Sequence, residues 1–272
     1  MASSPIIAPI IQVTTYDESK TDLAPYIFLE RRFEDVVSPM IFRTDDLSLV
    51  YAGQQYEGVM DVRAQTLNKK TLLTFWEGEG ASRYGNGHCL AFDGGYELKY
   101  NITPIGLETD SLADLHEFQV TEEDTVLIVI FEPIPWDLTP VGGPEDGMLI
   151  DCLFQEIDPR TGELIFEWRA SEHYGLEDTM STIETHMLPT GFNWYHLNSV
   201  AKVCYDPLSP LPLSVFSYPY PSATPSVSPS PNQSSREQDM KPHTAQYGSN
   251  YLIGGADVDH VALIDGTTGN PI

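Results

Sequence analysis

Residues 153–168, LFQEIDPRTGELIFEW, contain two apolar segments joined by the turn sequence Asp158-Pro-Arg-Thr-Gly. Segments rich in Leu, Ile and Phe on either side of a Pro- and Gly-containing turn predict a β-hairpin. The same layout recurs in residues 40–52 (MIFRTDDLSLVYA), 89–100 (CLAFDGGYELKY) and 261–272 (VALIDGTTGNPI). Apart from one longer interval, the turns lie about 50 to 65 residues apart, a spacing that predicts a repeat protein built from sheets.

Another strand pair is predicted before three of these hairpins. The pairs begin at Met60, His116 and His196, and their second strands contain Leu72, Leu127 and Leu252. The leucine follows the first residue by 12, 11 and 12 positions, but in the third pair only when residues 203–246 are left out of the count. The spacing therefore predicts that residues 203–246 are an insert in a repeat.

Four antiparallel strands per repeat predict an all-β protein, and specifically a β-propeller with four-stranded blades. A β-sandwich would need Greek-key connections, which this simple succession of strands does not suggest. The innermost strand of each propeller blade lines the central channel, so we expect His116 and His196 to point into the same space. Asn198 lies two residues after His196 and is expected on the same strand face. An ordinary, partly buried histidine is the alternative at either position.

The predicted organisation has four parts. Residues 1–23 are an N-terminal extension, 24–202 are propeller blades, 203–246 are the insert, and 247–272 resume a truncated blade. The insert is rich in Pro and Ser, which is typical of a disordered segment. A retained intron is a second interpretation, because removing these residues restores the spacing of the repeat.

The composition excludes several classes of partner. The formal charge of −26 opposes nucleic acids and anionic membranes, which bind basic surfaces.

Neither a secretory signal nor an apolar run long enough for a transmembrane helix is apparent, and the localisation stays open. No CxxC or HExxH motif suggests a metal site. Buried positions are predicted for Cys89 and Cys152, and packing between blades for Trp76, Trp136, Trp168 and Trp194.

Five segments resemble a known family. They are residues 75–88 (FWEGEGASRYGNGH), 114–120 (DLHEFQV), 133–147 (PIPWDLTPVGGPEDG), 154–170 (FQEIDPRTGELIFEWRA) and 194–202 (WYHLNSVAK). Together they resemble the fungal branch of the arylsulfotransferase family, whose members do not use PAPS. The resemblance extends from about Ala24 to the C-terminus, without the insert.

This resemblance implies a six-bladed propeller that transfers a sulfuryl group from a phenolic sulfate ester to a phenol through a sulfated histidine, without a cofactor. His116 matches a channel histidine of the family, and His196 with Asn198 matches its His-x-Asn-Ser motif. Sulfuryl transfer needs hydrogen-bond donors for the charged oxygens, and an acid and a nucleophile for the two steps. We therefore predict catalytic roles for His116, His196 and Asn198, and an aryl-binding role for Trp194.

Two features depart from the family pattern. Ala256 stands where the family has an arginine, and the nucleophilic histidine of the family would come from a later blade. About four blades are expected here, so the chain is predicted to be an incomplete arylsulfotransferase of doubtful activity. The alternative is a propeller that binds or scaffolds without catalysis.

Overall fold

The computed structural model describes residues 9–17, 19, 24–30, 38–81, 84–204, 249–258 and 260–272. In these residues the protein is all-β, as predicted. Its strands are β1 (Tyr26–Glu30), β2 (Pro39–Arg43), β3 (Leu49–Ala52), β4 (Val59–Leu67), β5 (Lys70–Ala81), β6 (Tyr84–Phe92), β7 (Leu98–Ile102), β8 (Ala113–Val120), β9 (Val126–Trp136), β10 (Gly147–Asp158), β11 (Glu163–Arg169), β12 (Met187–Leu188), β13 (Gly191–Asn193), β14 (Leu197–Cys204), β15 (Ser249–Gly255) and β16 (His260–Asp265). The short helix α1 (Ile183–His186) precedes β12.

Most of the strands form antiparallel meanders in chain order. The groups β1–β3, β4–β7, β8–β11 and β14–β16 each pair consecutive strands. The second and third groups belong to one larger sheet, since β6 contacts β8 through the single pair Gly87 and Ala113. The hairpin β12–β13 joins the same sheet by a parallel pairing of β13 with β10.

The predicted hairpins are present as β2–β3, β6–β7 and β10–β11. In the fourth copy, a turn follows β16. The residues after this turn pair with β16 through a single bridge between Ile264 and Pro271. The strands on either side of the predicted insert also pair with each other, as β14 and β15. Cys204 pairs with Ser249, so Val203 and Cys204 complete β14. The rest of the insert, residues 205–246, lies outside the described residues, as do parts of the N-terminal extension.

The core lies along β9 and β10, which are largely buried on both faces. Residues 126–131 of β9, VLIVIF, are all buried, because the strand has neighbours on both edges and is covered on both faces. Cys89 and Cys152 are buried free thiols, as predicted. Trp76, Trp168 and Trp194 are also buried, but the prediction for Trp136 was wrong, since 37% of it is exposed.

Side chains tie neighbouring meanders together. The indole Nε1 of Trp76 on β5 donates to the carbonyl oxygen of Ala113 on β8, at 2.8 Å. The amide of Gln65 on β4 donates to Phe118 O and accepts from Val120 N, both on β8. Strand β8 therefore lies beside β4.

None of the described helices is long and apolar enough to span a membrane.

Candidate functional site

The first strands of three meanders are interrupted near their beginnings. The β4 ladder shifts between Met60 and Arg63, the β8 ladder between Ala113 and Phe118, and the β14 ladder between Leu197 and Ser199. Such bulges turn side chains out of the regular alternation of a strand and are frequent next to active sites. Polar residues at or directly beside these interruptions contact each other across the meanders, as Arg63 does with Glu117 and His116 with His196.

Two polar residues at or next to these interruptions have a backbone in the left-handed region. Asp61 has φ of 58° and His196 has φ of 52°. Left-handed backbone is uncommon for residues other than glycine, although Asn, Asp and His adopt it more readily than most. Because such conformations cost energy, they persist where the surrounding structure fixes them, often at functional sites.

The two predicted histidines lie side by side. The ring centroids of His116 and His196 are 5.0 Å apart, and the ring planes are inclined by 79°. Phe131 packs against both rings, at 5.8 Å from His116 and 5.6 Å from His196. His196 is 9% exposed and the His116 side chain 20%, so both rings are partly shielded from water. The two histidines therefore bring side chains of two meanders into one polar site.

Asp114 holds the ring of His116. Its carboxylate is fully buried and lies 2.5 Å from Nδ1 of His116. It also accepts the backbone N–H groups of His116, at 2.9 Å, and of Gly85 on β6, at 2.6 Å. These contacts satisfy a buried charge that would otherwise be costly, and they fix the orientation of the imidazole.

Asn193 holds the ring of His196. Its side-chain nitrogen lies 2.8 Å from Nδ1 of His196, and both side chains are buried. The Asn193 Oδ1 is buried without a hydrogen-bond partner among the described residues. The structure thus gives each histidine its own buried polar neighbour, a carboxylate for His116 and a carboxamide for His196.

The other two predicted site residues differ in exposure. Asn198 is exposed at the bulge of β14, one residue beyond Leu197. Trp194 is 1% exposed and packs in the core against Tyr195. Asn198 is therefore accessible to a ligand, whereas Trp194 in this conformation supports the backbone that leads to His196.

The guanidinium group of Arg63 pairs with Glu117, the residue that follows His116. Arg63 on β4 donates to Asp61 at 2.5 Å, to Glu117 at 2.7 Å and to the carbonyl oxygen of Phe118 at 2.6 Å. Glu117 directly follows His116 and also accepts the backbone N–H of Val200 on β14. One arginine therefore bridges carboxylates of β4 and β8, and one of these reaches β14.

The positive charge of Arg63 is too small to offset the burial of both Asp61 and Glu117. Burial raises the pKa of Asp61 to about 7, because lost hydration and the charge of Glu117 outweigh the attraction of Arg63. Burial also raises the pKa of Glu117, against the attraction of Arg63 and His116. The pair can therefore hold a proton near neutral pH, which is unusual for carboxylates.

Ala256 stands where the family has an arginine, and its small side chain lies close to His196. The backbone N–H of Ala256 donates to the carbonyl oxygen of His196 at 2.9 Å, and its methyl side chain is exposed. In the described part of the chain, no cluster of His, Cys, Asp and Glu could hold a metal ion.

Five residues of the site were not predicted from the sequence: Asp61, Arg63, Asp114, Glu117 and Asn193. Charged residues within the otherwise apolar strands 59–67 and 113–120 were an available signal, because a charge in a half-buried strand needs a partner. The identity of each partner was not predictable, since it depends on the bulges and on contacts between meanders.

A family model described as arylsulfotransferase (ASST) matches residues 63–270. This range includes Arg63, both histidines and their buried partners, while Asp61 lies just before it. No curated protein and no solved structure matches the chain significantly.

Proposed function

The chain belongs to the arylsulfotransferase (ASST) family, and on this premise we propose that it transfers a sulfuryl group from a phenolic sulfate ester to a phenol. The observation that carries the proposal is the contact between the rings of His116 and His196, with Arg63 paired to Glu117, the residue that follows His116. Sulfuryl transfer develops negative charge on the sulfate oxygens and on the phenolate oxygen that leaves. Imidazole and guanidinium groups at a partly shielded site can stabilise that charge.

The proposal includes the propeller architecture. The meanders β4–β7, β8–β11 and β14–β16 would be successive blades, with β4, β8 and β14 as their inner strands. Contacts of Gln65 with β8, and of Glu117 with both Arg63 and Val200, support this arrangement. The channel would then be lined by the bulges of these inner strands, where the histidines lie.

Each site residue has a chemical role in this proposal. His116 and His196 act on the sulfuryl group and on the bridging oxygen, and Asn198 donates its amide to a sulfate oxygen. The transfer passes through a sulfated histidine, so the donor phenol leaves before the acceptor phenol reacts. A net charge of −26 repels an anionic ester, so these few local donors have to hold it.

Binding without turnover is the second candidate function, and Ala256 favours it. The family pattern has an arginine at this position, and a methyl group cannot clamp a sulfate. A protein that has lost this contact could still bind an aryl sulfate at the histidine pair.

The test is transfer from 4-nitrophenyl sulfate to phenol, followed by release of 4-nitrophenolate and by mass spectrometry of phenyl sulfate. We expect the full chain to form phenyl sulfate and His116→Asn to lose at least about 100-fold in rate. Asparagine lacks the reactive Nε2 of histidine. It keeps an N–H donor for Asp114, so we expect the variant to fold. His173→Ala is the control, since the ring of His173 stacks on Trp168 instead.

Binding is measured separately with 4-nitrobenzenesulfonate, whose C–S bond cannot transfer. Binding that requires His116, without any phenyl sulfate formed, would replace the enzymatic proposal by the binding one. Neither transfer nor binding by the folded protein would reject both.

A further inference from the structure

The aryl group of a phenolic sulfate ester needs an aromatic or apolar surface beside the histidine pair. Trp194, the residue predicted for this role, is 1% exposed and packs in the core. Phe131 contacts both histidine rings, but it is 4% exposed and offers no open face to a ligand. Tyr84, the first residue of β6, packs against Phe131 with ring centroids 5.8 Å apart and is itself partly exposed. Tyr84 therefore combines an accessible aromatic ring with a contact to the site.

The strand register brings Tyr84 to His116. Strand β6 pairs with β8 in the antiparallel direction through Gly87 and Ala113. In an antiparallel pair, each step back along one strand matches one step forward along the other. Three steps from the observed pair, this register places Tyr84 opposite His116.

Contacts on both sides of Tyr84 fix the direction of its ring. The N–H of the next residue, Gly85, donates to Asp114 at 2.6 Å, and this carboxylate also holds one of the histidine rings. Gly85 lies against the side chain of Leu115, since a Cβ at this glycine would be 3.0 Å from it. The hydroxyl oxygens of Tyr84 and of Thr190, in the turn between β12 and β13, are 2.5 Å apart. Because the hydroxyl is hydrogen-bonded, the ring face is the part of Tyr84 that a ligand can contact.

We propose that Tyr84 binds the aryl ring of the substrate and so determines a preference for aromatic over aliphatic sulfate esters. This inference rests on the proposed sulfuryl transfer, because it names the residue that recognises the phenolic part of the same substrate. Aromatic rings pack against each other in stacked or edge-to-face arrangements and bury apolar area. A tyrosine that is already held in place loses little conformational freedom when a second ring packs against it.

Binding of two sulfonates to the full chain separates recognition of the ring from recognition of the charged group. Benzenesulfonate and methanesulfonate carry the same anionic group on a C–S bond that cannot transfer, but only the first has a ring. We expect the wild type to bind benzenesulfonate at least about 10-fold more tightly in titration calorimetry, because of the buried apolar area and the aromatic contact. Tyr84→Leu should lose most of this difference, whereas Tyr84→Phe, which keeps the ring, should retain it.

Two further variants distinguish ring binding from a purely structural role. Thr190→Val removes the hydrogen bond to Tyr84 but no ring, and it should change the ratio of the two affinities much less than Tyr84→Leu. Tyr26→Leu replaces a tyrosine of β1 that is 46% exposed, and it should leave the ratio unchanged. An equal loss in Tyr84→Leu and Thr190→Val would show that Tyr84 only holds the hairpin, and would overturn the proposal. A wild type without a preference for benzenesulfonate would overturn it as well.

Proton NMR of the wild type tests the contact even if Tyr84→Leu does not fold. We expect nuclear Overhauser effects between the ring protons of bound benzenesulfonate and those of Tyr84. The signals of Tyr84 are identified by their loss in Tyr84→Phe. Bound benzenesulfonate without these effects would contradict the proposed contact.

Failure of this proposal is distinguishable from failure of the proposed function. If the ring preference depends on Tyr84 but no phenyl sulfate forms, the transfer fails while the aryl site stands. If phenyl sulfate forms, we expect Tyr84→Leu to raise the KM for 4-nitrophenyl sulfate at least about 10-fold with a smaller change in kcat, since the ring contact is made in both the ground and the transition state. An unchanged KM in the folded variant would overturn the role of Tyr84 while the function stands.

Discussion

Replacing Asp61 by Asn should change how the stability of the protein depends on pH. Burial raises the pKa of Asp61 to about 7, whereas its unfolded value is about 3.9. Between these values the folded state keeps a proton that the unfolded chain has released. The free energy of unfolding therefore falls as pH rises, and the contribution of protonated Asp61 is lost as pH passes through about 7.

The magnitude follows from the two pKa values. A difference of about 3 pH units at about 1.4 kcal/mol each gives an upper limit of about 4 kcal/mol between low and high pH. Coupling to Arg63 and Glu117 divides part of this effect between the two carboxyl groups. The substituted asparagine side chain is uncharged at every pH, so the variant loses the Asp61 share of the dependence and gains relative stability above about pH 7.

The assay is urea denaturation of the full chain at about pH 3, 5 and 8, chosen to bracket both pKa values. We expect the stability of Asp61→Asn relative to the wild type to rise with pH by about 1 to 4 kcal/mol over this range. Asp110→Asn, at an exposed position, controls for the removal of a charge. Parallel pH profiles of Asp61→Asn and the wild type would refute the reasoning about burial.

Two further substitutions test contacts between and within the sheets. Lys202→Met removes the 2.7 Å ion pair with fully buried Glu156 and should cost about 3 kcal/mol in urea denaturation. Lys99→Met, in an exposed pair, should cost much less, and equal losses would contradict the burial argument. Gly58→Ala adds a Cβ 2.1 Å from a carbonyl oxygen of the neighbouring strand and should lower Tm far more than Gly106→Ala, which has similar φ but open space; similar losses would show that only backbone strain matters.

The repeat in the sequence was sufficient to predict the antiparallel hairpins and the closeness of His116 to His196. Turn aspartates located the hairpins, and the register across the insert located the pairing of β14 with β15. The buried polar neighbours of the two histidines were not predictable, because Asp114 and Asn193 reach them through irregular backbone. The long-range sharing of Arg63 by Asp61 and Glu117 likewise depends on two strands that are distant in sequence.

The tryptophans show a second limit of the sequence pattern. Trp136 is the last residue of the mostly apolar strand β9 and is partly exposed, whereas Trp194 directly follows β13 and lies in the core. Hydrophobicity predicts burial for both, whereas exposure is decided by whether another segment covers the end of the strand. The closeness of Trp194 to His196 in sequence likewise did not reveal that its ring is turned into the core.

A double-mutant cycle of sulfuryl transfer tests the central claim most directly. The rate of phenyl sulfate formation from 4-nitrophenyl sulfate is measured for the wild type, His116→Asn, His196→Asn and the double variant. If both histidines act on one sulfuryl group, the double variant should lose little more than the more impaired single variant. Rate losses that multiply in the double variant, or single variants as active as the wild type, would contradict a shared site.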